Sequence, residues 1–222
     1  MNRMSRYQIA RALSDPMLAI EPTGETPRSD ADYTVFTSKT GAELVAEAGW
    51  RPSGTVVAIG TPTAEALEAA GYAVDRLPGE FSSSGLVEEL ASDAPGATVE
   101  VARSDHGSAV LLEGLNDAGA YVHETVLYRL VRPEGAGRSA EAAARGELAG
   151  ACFTSSLTVE HFLAAATERG VRAAAIEGLN DATVGTIGEP TEETAESAGV
   201  AVDVVPGTAT FEALAEAVAE RL

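Results

Sequence analysis

Short apolar runs alternate along the chain with longer amphipathic stretches, and turns rich in Gly, Pro, Ser and Thr separate them. The runs at residues 33–37, 55–59, 98–102, 149–154 and 183–187 read as strands. Several lack polar alternation, as strands of a parallel sheet covered on both faces do. Shorter strands are predicted at 17–20, 73–77 and 201–205, and 121–131 reads as extended. Helices are predicted at 5–13, from about 39 to 48, and at 64–70, 85–90, 108–118, 140–145, 155–166, 190–198 and 209–222. Ser38 or Thr40 is placed to cap the helix that ends near residue 48. Residues 21–30 form a polar link, and 132–137 is a Pro/Gly breaker between lobes.

The order of elements repeats. TVVAIGTPTAEALEAAGYAVDRLPG at 55–79 recurs as TVGTIGEPTEETAESAGVAVDVVPG at 183–207, a shift of 128. Phe36-Thr37-Ser38 recurs as Phe153-Thr154-Ser155 at a shift of 117, so the second copy carries an insertion of 11 residues before its Ile-Gly turn. GLNDA, at 114–118 and 178–182, fits neither shift and is read as chance. Alternating strands and helices, present twice, predict two similar Rossmann-like (flavodoxin-like) α/β lobes joined by a two-stranded linker. Ligands of such sheets bind outside the carboxyl ends of the strands. There the sequence places Ser38, Thr61, Thr63, Ser104, Ser155 and Thr191, which would line a shared cleft if the lobes face each other.

Composition narrows the chemistry. The 222 residues carry 34 acids and 15 bases, a net charge of -19, and Lys39 is the only lysine. An acidic, lysine-poor surface fits high salt, where charge is screened, or simply a soluble acidic protein. It argues against nucleic acid or anionic lipid as partner. One cysteine, Cys152, leaves no disulfide within the chain and fits a reducing compartment. No apolar run is long enough to span a bilayer, and the first residues lack the pattern of a secretory signal, so a cytoplasmic location is expected.

Motifs exclude more than they select. The chain has no GxGxxG, Walker loop, HExxH or GxSxG, and its three histidines, His106, His123 and His161, are scattered. Asp105-His106 reads as an exposed turn and His161 as a helix-face residue. What remains is a set of strand-end hydroxyls beside helix N-termini, whose N–H groups suit carboxylates or phosphates.

Several segments resemble uroporphyrinogen-III synthase. They are Val35-Phe36-Thr37-Ser38, Ala58-Ile59-Gly60 with Thr63-Ala64, Gly119-Ala120-Tyr121-Val122 leading to Tyr128, Phe153-Thr154-Ser155-Ser156, Ile187-Gly188 with Thr191, and the closing stretch from Pro206 to Leu214. The resemblance runs over residues 16–222, and the acidic composition looks like that of a halophilic archaeal member. It implies a monomeric lyase without metal or cofactor. The substrate would be hydroxymethylbilane, a carboxylate-rich linear tetrapyrrole, received by transient contact with the preceding pathway enzyme. Ring A loses water to give an azafulvene, ring D attacks through its substituted carbon, and a spiro intermediate fragments and recloses with ring D inverted. A non-catalytic two-lobed anion-binding protein, or a degenerate relative of the synthase, is the alternative.

Carried onto this chain, the resemblance makes Tyr128 the catalytic phenol, with a tyrosine packed at an interface as the plainer reading. The family's cleft threonines fall on Thr63 and Thr191, its first-lobe serine on Ser38 and its second-lobe serine on Ser155 or Ser156. These would bind acetate and propionate groups, Thr61 and Ser104 join them by their strand-end position, and Lys39 and Arg103 would add positive charge. Lys39 reads equally well as an ordinary surface lysine. The implied domains are a central lobe at 30–124, a second lobe at 1–16 plus 134–222, and linker strands at 17–29 and 125–133. Members of the family begin with a strand like VxVxRP and a long helix. MNRMSRYQIARALSD does not match, so a shortened or altered N-terminus is expected, with the first strand missing from the second lobe.

Overall fold

A computed structural model describes residues 13–222 of the chain. The expected helix at 5–13 lies almost wholly outside the described residues, as does most of the stretch in which the altered N-terminus is expected. The chain is two similar Rossmann-like α/β lobes joined by a linker. One unit is Ile20–Leu130. The other combines the described part of Met1–Ala19 with Val131–Leu222.

The unit Ile20–Leu130 is built on five strands, β1 (Ala19–Pro22), β2 (Tyr33–Phe36), β3 (Thr55–Ala58), β4 (Thr98–Ser104) and β5 (Tyr121–Val131), in the order β1-β5-β4-β2-β3. β2 runs parallel to β3 and β4, and β4 parallel to β5. Helices α1 (Lys39–Glu47), α2 (Thr61–Ala69), α3 (Ser83–Leu90) and α4 (Ala109–Asp117) cover its two faces. Because side chains alternate along a strand, neighbours feed different cores. Phe36 and Val56 pack with Val45 of α1 and Leu67 of α2, whereas Val35 and Val57 pack with Leu86 of α3 and Leu111 of α4. Both faces being covered is the physical reason for apolar runs without alternation.

Among its described residues the other unit holds two parallel strands, β6 (Gly150–Phe153) and β7 (Thr183–Thr186). Around them lie α5 (Arg138–Ala144), α6 (Ser156–Glu168), α7 (Arg172–Asn180), α8 (Glu189–Ser197) and α9 (Phe211–Ala219). Phe153, Phe162, Leu163, Leu179, Val184 and Val200 form its core. α9 packs closely on β7. A Cβ on Gly185 would lie 2.5 Å from Val218 and 2.7 Å from Leu214.

The sequence repeat is a structural one. Gly71 and Gly199 follow α2 and α8 with φ of 86° and 89°, the left-handed conformation that ends a helix at glycine. The expected strands at 73–77 and 201–205 shrink to single bridges, Val57 with Arg76 and Gly185 with Val204. In a continued parallel ladder the Val56 N–H would meet the carbonyl of residue 74. Instead it donates to Asp75 Oδ2 at 2.8 Å, and the Val184 N–H donates to Asp203 Oδ2 at 2.7 Å. A carboxylate substitutes for the next rung, so the ladder stops.

Other boundaries move for local reasons. α2 begins three residues earlier than expected because Gly60 is its extended N-cap and Pro62 fits its first turn. β4 continues through Arg103 and Ser104, past the expected end at residue 102, because β5 keeps pairing with it. The 11-residue insertion contains α7, which the pattern did not reveal. RAAAIEGLN has little apolar periodicity because α7 meets α5 through small residues. A Cβ on Gly178 would lie 1.8 Å from the Ala143 carbonyl oxygen. The two GLNDA phrases close α4 and α7, so both are helix ends leading into strands.

Candidate active site

The carboxyl edge of the five-stranded sheet carries the densest group of expected site residues. β2 ends at Phe36, and Ser38 caps α1 by accepting the Gly41 N–H at 3.0 Å. The Tyr128 hydroxyl donates to the same Ser38 Oγ at 3.0 Å. Both lone pairs of Ser38 are then engaged, and its own O–H remains as a donor toward a ligand. Gly41 leaves no spare room here, since a Cβ would lie 3.1 Å from Ser38 Oγ and 3.3 Å from Leu127.

A register shift brings Tyr128 to this position. Arg103 pairs with Val126, but Ser104 pairs with Tyr128, so β5 has one extra residue at this point. Leu127 and Tyr128, adjacent in sequence, consequently pack into the same core. Strand bulges often re-aim a side chain in this way beside a functional site.

Thr61 and Thr63 occupy the first turn of α2 after β3. Thr63 is buried and Thr61 exposed, and no side chain caps this helix. Phe81 sits over the same turn, where a Cβ on Gly60 would meet its ring at 3.2 Å, yet Phe81 is 59% exposed. The sequence reading missed Phe81. The available signal was a large aromatic between Gly79-Glu80 and a run of serines, in a chain with few aromatics.

Beyond β4, the Ser104 hydroxyl accepts the His106 N–H at 3.4 Å. Asp105 Oδ1 takes the Leu130 N–H at 3.0 Å and lies 2.8 Å from His106 Nδ1. Burial pushes the Asp105 carboxyl up, but the hydrogen bonds from His106 and the Leu130 N–H outweigh it and hold it below the usual value. The turn is more organised than the exposed loop expected from the sequence.

The two cations differ. Lys39 is exposed and 3.5 Å from Glu43 one turn along α1. Arg103 is buried within the unit. Its Nε lies 2.6 Å from Glu124 Oε1, and its Nη1 donates to the Ser108 carbonyl. That guanidinium braces β4, β5 and the start of α4, and is not a free charge at the edge.

In the other unit, Ser155 caps α6 in a reciprocal box with Thr158. Ser156 donates to the Pro190 carbonyl at 2.9 Å and accepts from Thr194 at 2.9 Å, which ties α6 to α8. Thr191 is buried in the first turn of α8, the counterpart of Thr63 in α2. The Thr186 hydroxyl at the end of β7 is buried and has no hydrogen-bond partner among the described residues.

A cavity of about 310 Å³ lies at the opposite, amino edge of the five-stranded sheet, where Arg28, Thr98, Glu100, Tyr121 and His123 are among its lining residues. None of the expected site residues borders it. Among the described residues no group of three or more His, Cys, Asp or Glu side chains is placed to hold a metal, and no helix is long and apolar enough to cross a membrane.

A duplicated α/β fold with hydroxyl-bearing turns at the carboxyl edges of its sheets belongs to the two-lobed Rossmann-like class. The profile of one family, uroporphyrinogen-III synthase HemD, matches residues 4–216, and the chain belongs to that family. A provisionally named uroporphyrinogen-III synthase of Methanothermobacter thermautotrophicus is 31% identical over 179 residues, covering 76% of this chain and 70% of the relative. One of Archaeoglobus fulgidus is 29% identical over 187 residues, covering 83% and 77%.

Solved structures support the fold. Uroporphyrinogen-III synthetase of Helicobacter pylori superposes with a TM-score of 0.67 at 16% identity, over 93% of this chain and 91% of that one. A mutant uroporphyrinogen III synthase of Thermus thermophilus gives 0.65 at 21% identity, over 94% and 88%.

Proposed function

We propose that the chain cyclises hydroxymethylbilane to uroporphyrinogen III, with loss of water and inversion of ring D. Family membership supports this reading, and one observation carries it to the residues: the Tyr128 phenol held on Ser38 at the carboxyl edge of the sheet. As the ring A hydroxyl departs, Tyr128 gives it a proton. The Ser38 O–H turns to donate to the phenolate oxygen, which spreads the charge over a second donor.

Ser38, Thr61, Thr63 and Ser104 line the same edge and bind substrate carboxylates together with first-turn N–H groups of α1 and α2. Ser155, Ser156 and Thr191 do so at the corresponding turns of the other unit, and Lys39 adds a positive charge. Arg103 we assign to the scaffold, on the strength of its burial and its pairing with Glu124. Loss of water is redox-neutral, so positioning and proton transfer suffice, and a monomer without cofactor in the cytoplasm is the form we propose. Its bilane would come by transient contact with the enzyme that makes it. The acidic surface supports function at high salt.

The test is incubation of the purified chain with hydroxymethylbilane and separation of the isomers of the product. Uroporphyrinogen III in excess is expected. Isomer I alone, formed at the rate seen in buffer, overturns the reading.

A further inference from the structure

We propose that His106 is a catalytic residue of this edge, and that its Nε2 accepts the proton the substrate releases as the macrocycle recloses. The inference rests on the synthase reading above.

The chemistry requires two proton transfers. When the C–O bond of the hydroxymethyl group breaks, its electron pair leaves on oxygen, which takes a proton from Tyr128 and departs as water. When the last C–C bond forms at the free α-carbon of ring D, the C–H bond there breaks, its electrons return to the pyrrole, and its proton needs an acceptor. The imidazolium then returns that proton through water to the Tyr128 phenolate. No oxidant or reductant enters, and both side chains are reset.

The fold supplies an acceptor beside Tyr128. Ser104 pairs in register with Tyr128, and the Asp105 N–H donates to the Tyr128 carbonyl at 3.2 Å. The turn carrying His106 is therefore fixed to the backbone of β5 at this residue. Asp105 Oδ1 is held by the Leu130 N–H at 3.0 Å and lies 2.8 Å from His106 Nδ1. An ionised carboxylate only accepts hydrogen bonds, so Nδ1 carries the hydrogen of the neutral ring, and the lone pair of that tautomer is on Nε2. A base oriented by a third group recurs wherever side chains move protons. The His106 side chain is 46% exposed, open to substrate. The other histidines do not compete. His123 borders the opposite edge of the sheet on Glu100, and His161 belongs to the other unit, with Nδ1 2.6 Å from the Met17 carbonyl oxygen. Asp105 is a positioning residue, since it acts through His106.

Initial rates, the ratio of isomers III and I, and thermal melts are measured for the wild type, His106→Ala, His106→Gln and Asp105→Asn. His106→Ala is expected to lower kcat about 10²-fold with KM and melting temperature unchanged. Added imidazole is expected to restore part of that loss in His106→Ala but none in His106→Gln, whose side chain fills the space. Asp105→Asn is expected to lower kcat less, without rescue. Wild-type kcat in His106→Ala, a defect confined to KM, or a defect that imidazole does not relieve each overturns the proposal. Failure of the wild type to form isomer III is a different result, and strikes the synthase reading itself.

Discussion

The hydroxyl of Tyr128 lies 3.0 Å from Oγ of Ser38, ninety residues away in sequence. The bulge in β5 and the helix cap of α1 meet at that hydrogen bond. Tyr128→Phe keeps the ring in its core and removes only the oxygen. Its stability should fall by about 1 kcal/mol, while turnover of hydroxymethylbilane should fall about 10²-fold. Ser38→Ala should cost about 1 kcal/mol through the lost cap, and should also slow turnover. Denaturant titrations beside initial rates separate the two effects. Wild-type turnover in Tyr128→Phe removes the phenol from the mechanism.

Phe81 rests on Gly60 with 59% of its surface exposed, whereas Phe36, Phe153 and Phe162 are buried. Phe81→Ala is expected to leave stability within about 0.5 kcal/mol of the wild type, as surface changes do. If the ring packs on a pyrrole, KM should rise by up to about tenfold, equivalent to about 1.4 kcal/mol. An unchanged KM shows that the ring touches no substrate.

Asp75 and Asp203 each replace a missing rung of a parallel ladder. Alanine at either position strands a backbone N–H, of Val56 or of Val184, at an expected cost of about 1–3 kcal/mol. Asparagine keeps an acceptor oxygen and should cost less. The midpoint of urea unfolding reads both, and equal midpoints for the Ala and Asn variants would contradict this account.

Asp15 caps the start of α5, accepting the N–H groups of Gly137 at 3.0 Å and Ser139 at 2.7 Å. Burial raises its carboxyl, but the Ser139 and Gly137 bonds and the Arg138 charge outweigh that, and it is held below the usual value. A group depressed in the folded state stabilises above its unfolded pKa, and the contribution is lost as pH falls through the folded one. The gap in stability between wild type and Asp15→Asn should therefore be full at neutral pH and shrink as pH falls below the ordinary carboxylate value and through the lowered folded one. Urea titrations across that range check it, and a gap independent of pH refutes the assignment.

Much of the fold was legible because it is written twice. The Ile-Gly turns, the helix-ending glycines Gly71 and Gly199, and the strands β2, β3, β6 and β7 follow from local pattern and repetition. Ser38 was readable as a cap, since a hydroxyl between a strand and a helix has few other uses. α7 was not readable, because Gly178 and Ala143 meet by close backbone approach and leave no apolar stripe. The bridges at Arg76 and Val204 looked like strands because alternation does not show that an aspartate will take the next N–H.

The sequence by itself determined the class of the fold, its duplication, the family resemblance and the residue types at the strand ends, because these depend on periodicity and on order along the chain. Only the tertiary structure decided which of those residues meet. Tyr128 reaches Ser38 through a bulge whose position depends on pairing with β4. Arg103 is claimed by Glu124 from the neighbouring strand, and Asp105 orients His106 while holding the Leu130 N–H. The physical reason is common to all three: hydrogen bonds and ion pairs between strands far apart in sequence are fixed by sheet order and register, which no local pattern encodes.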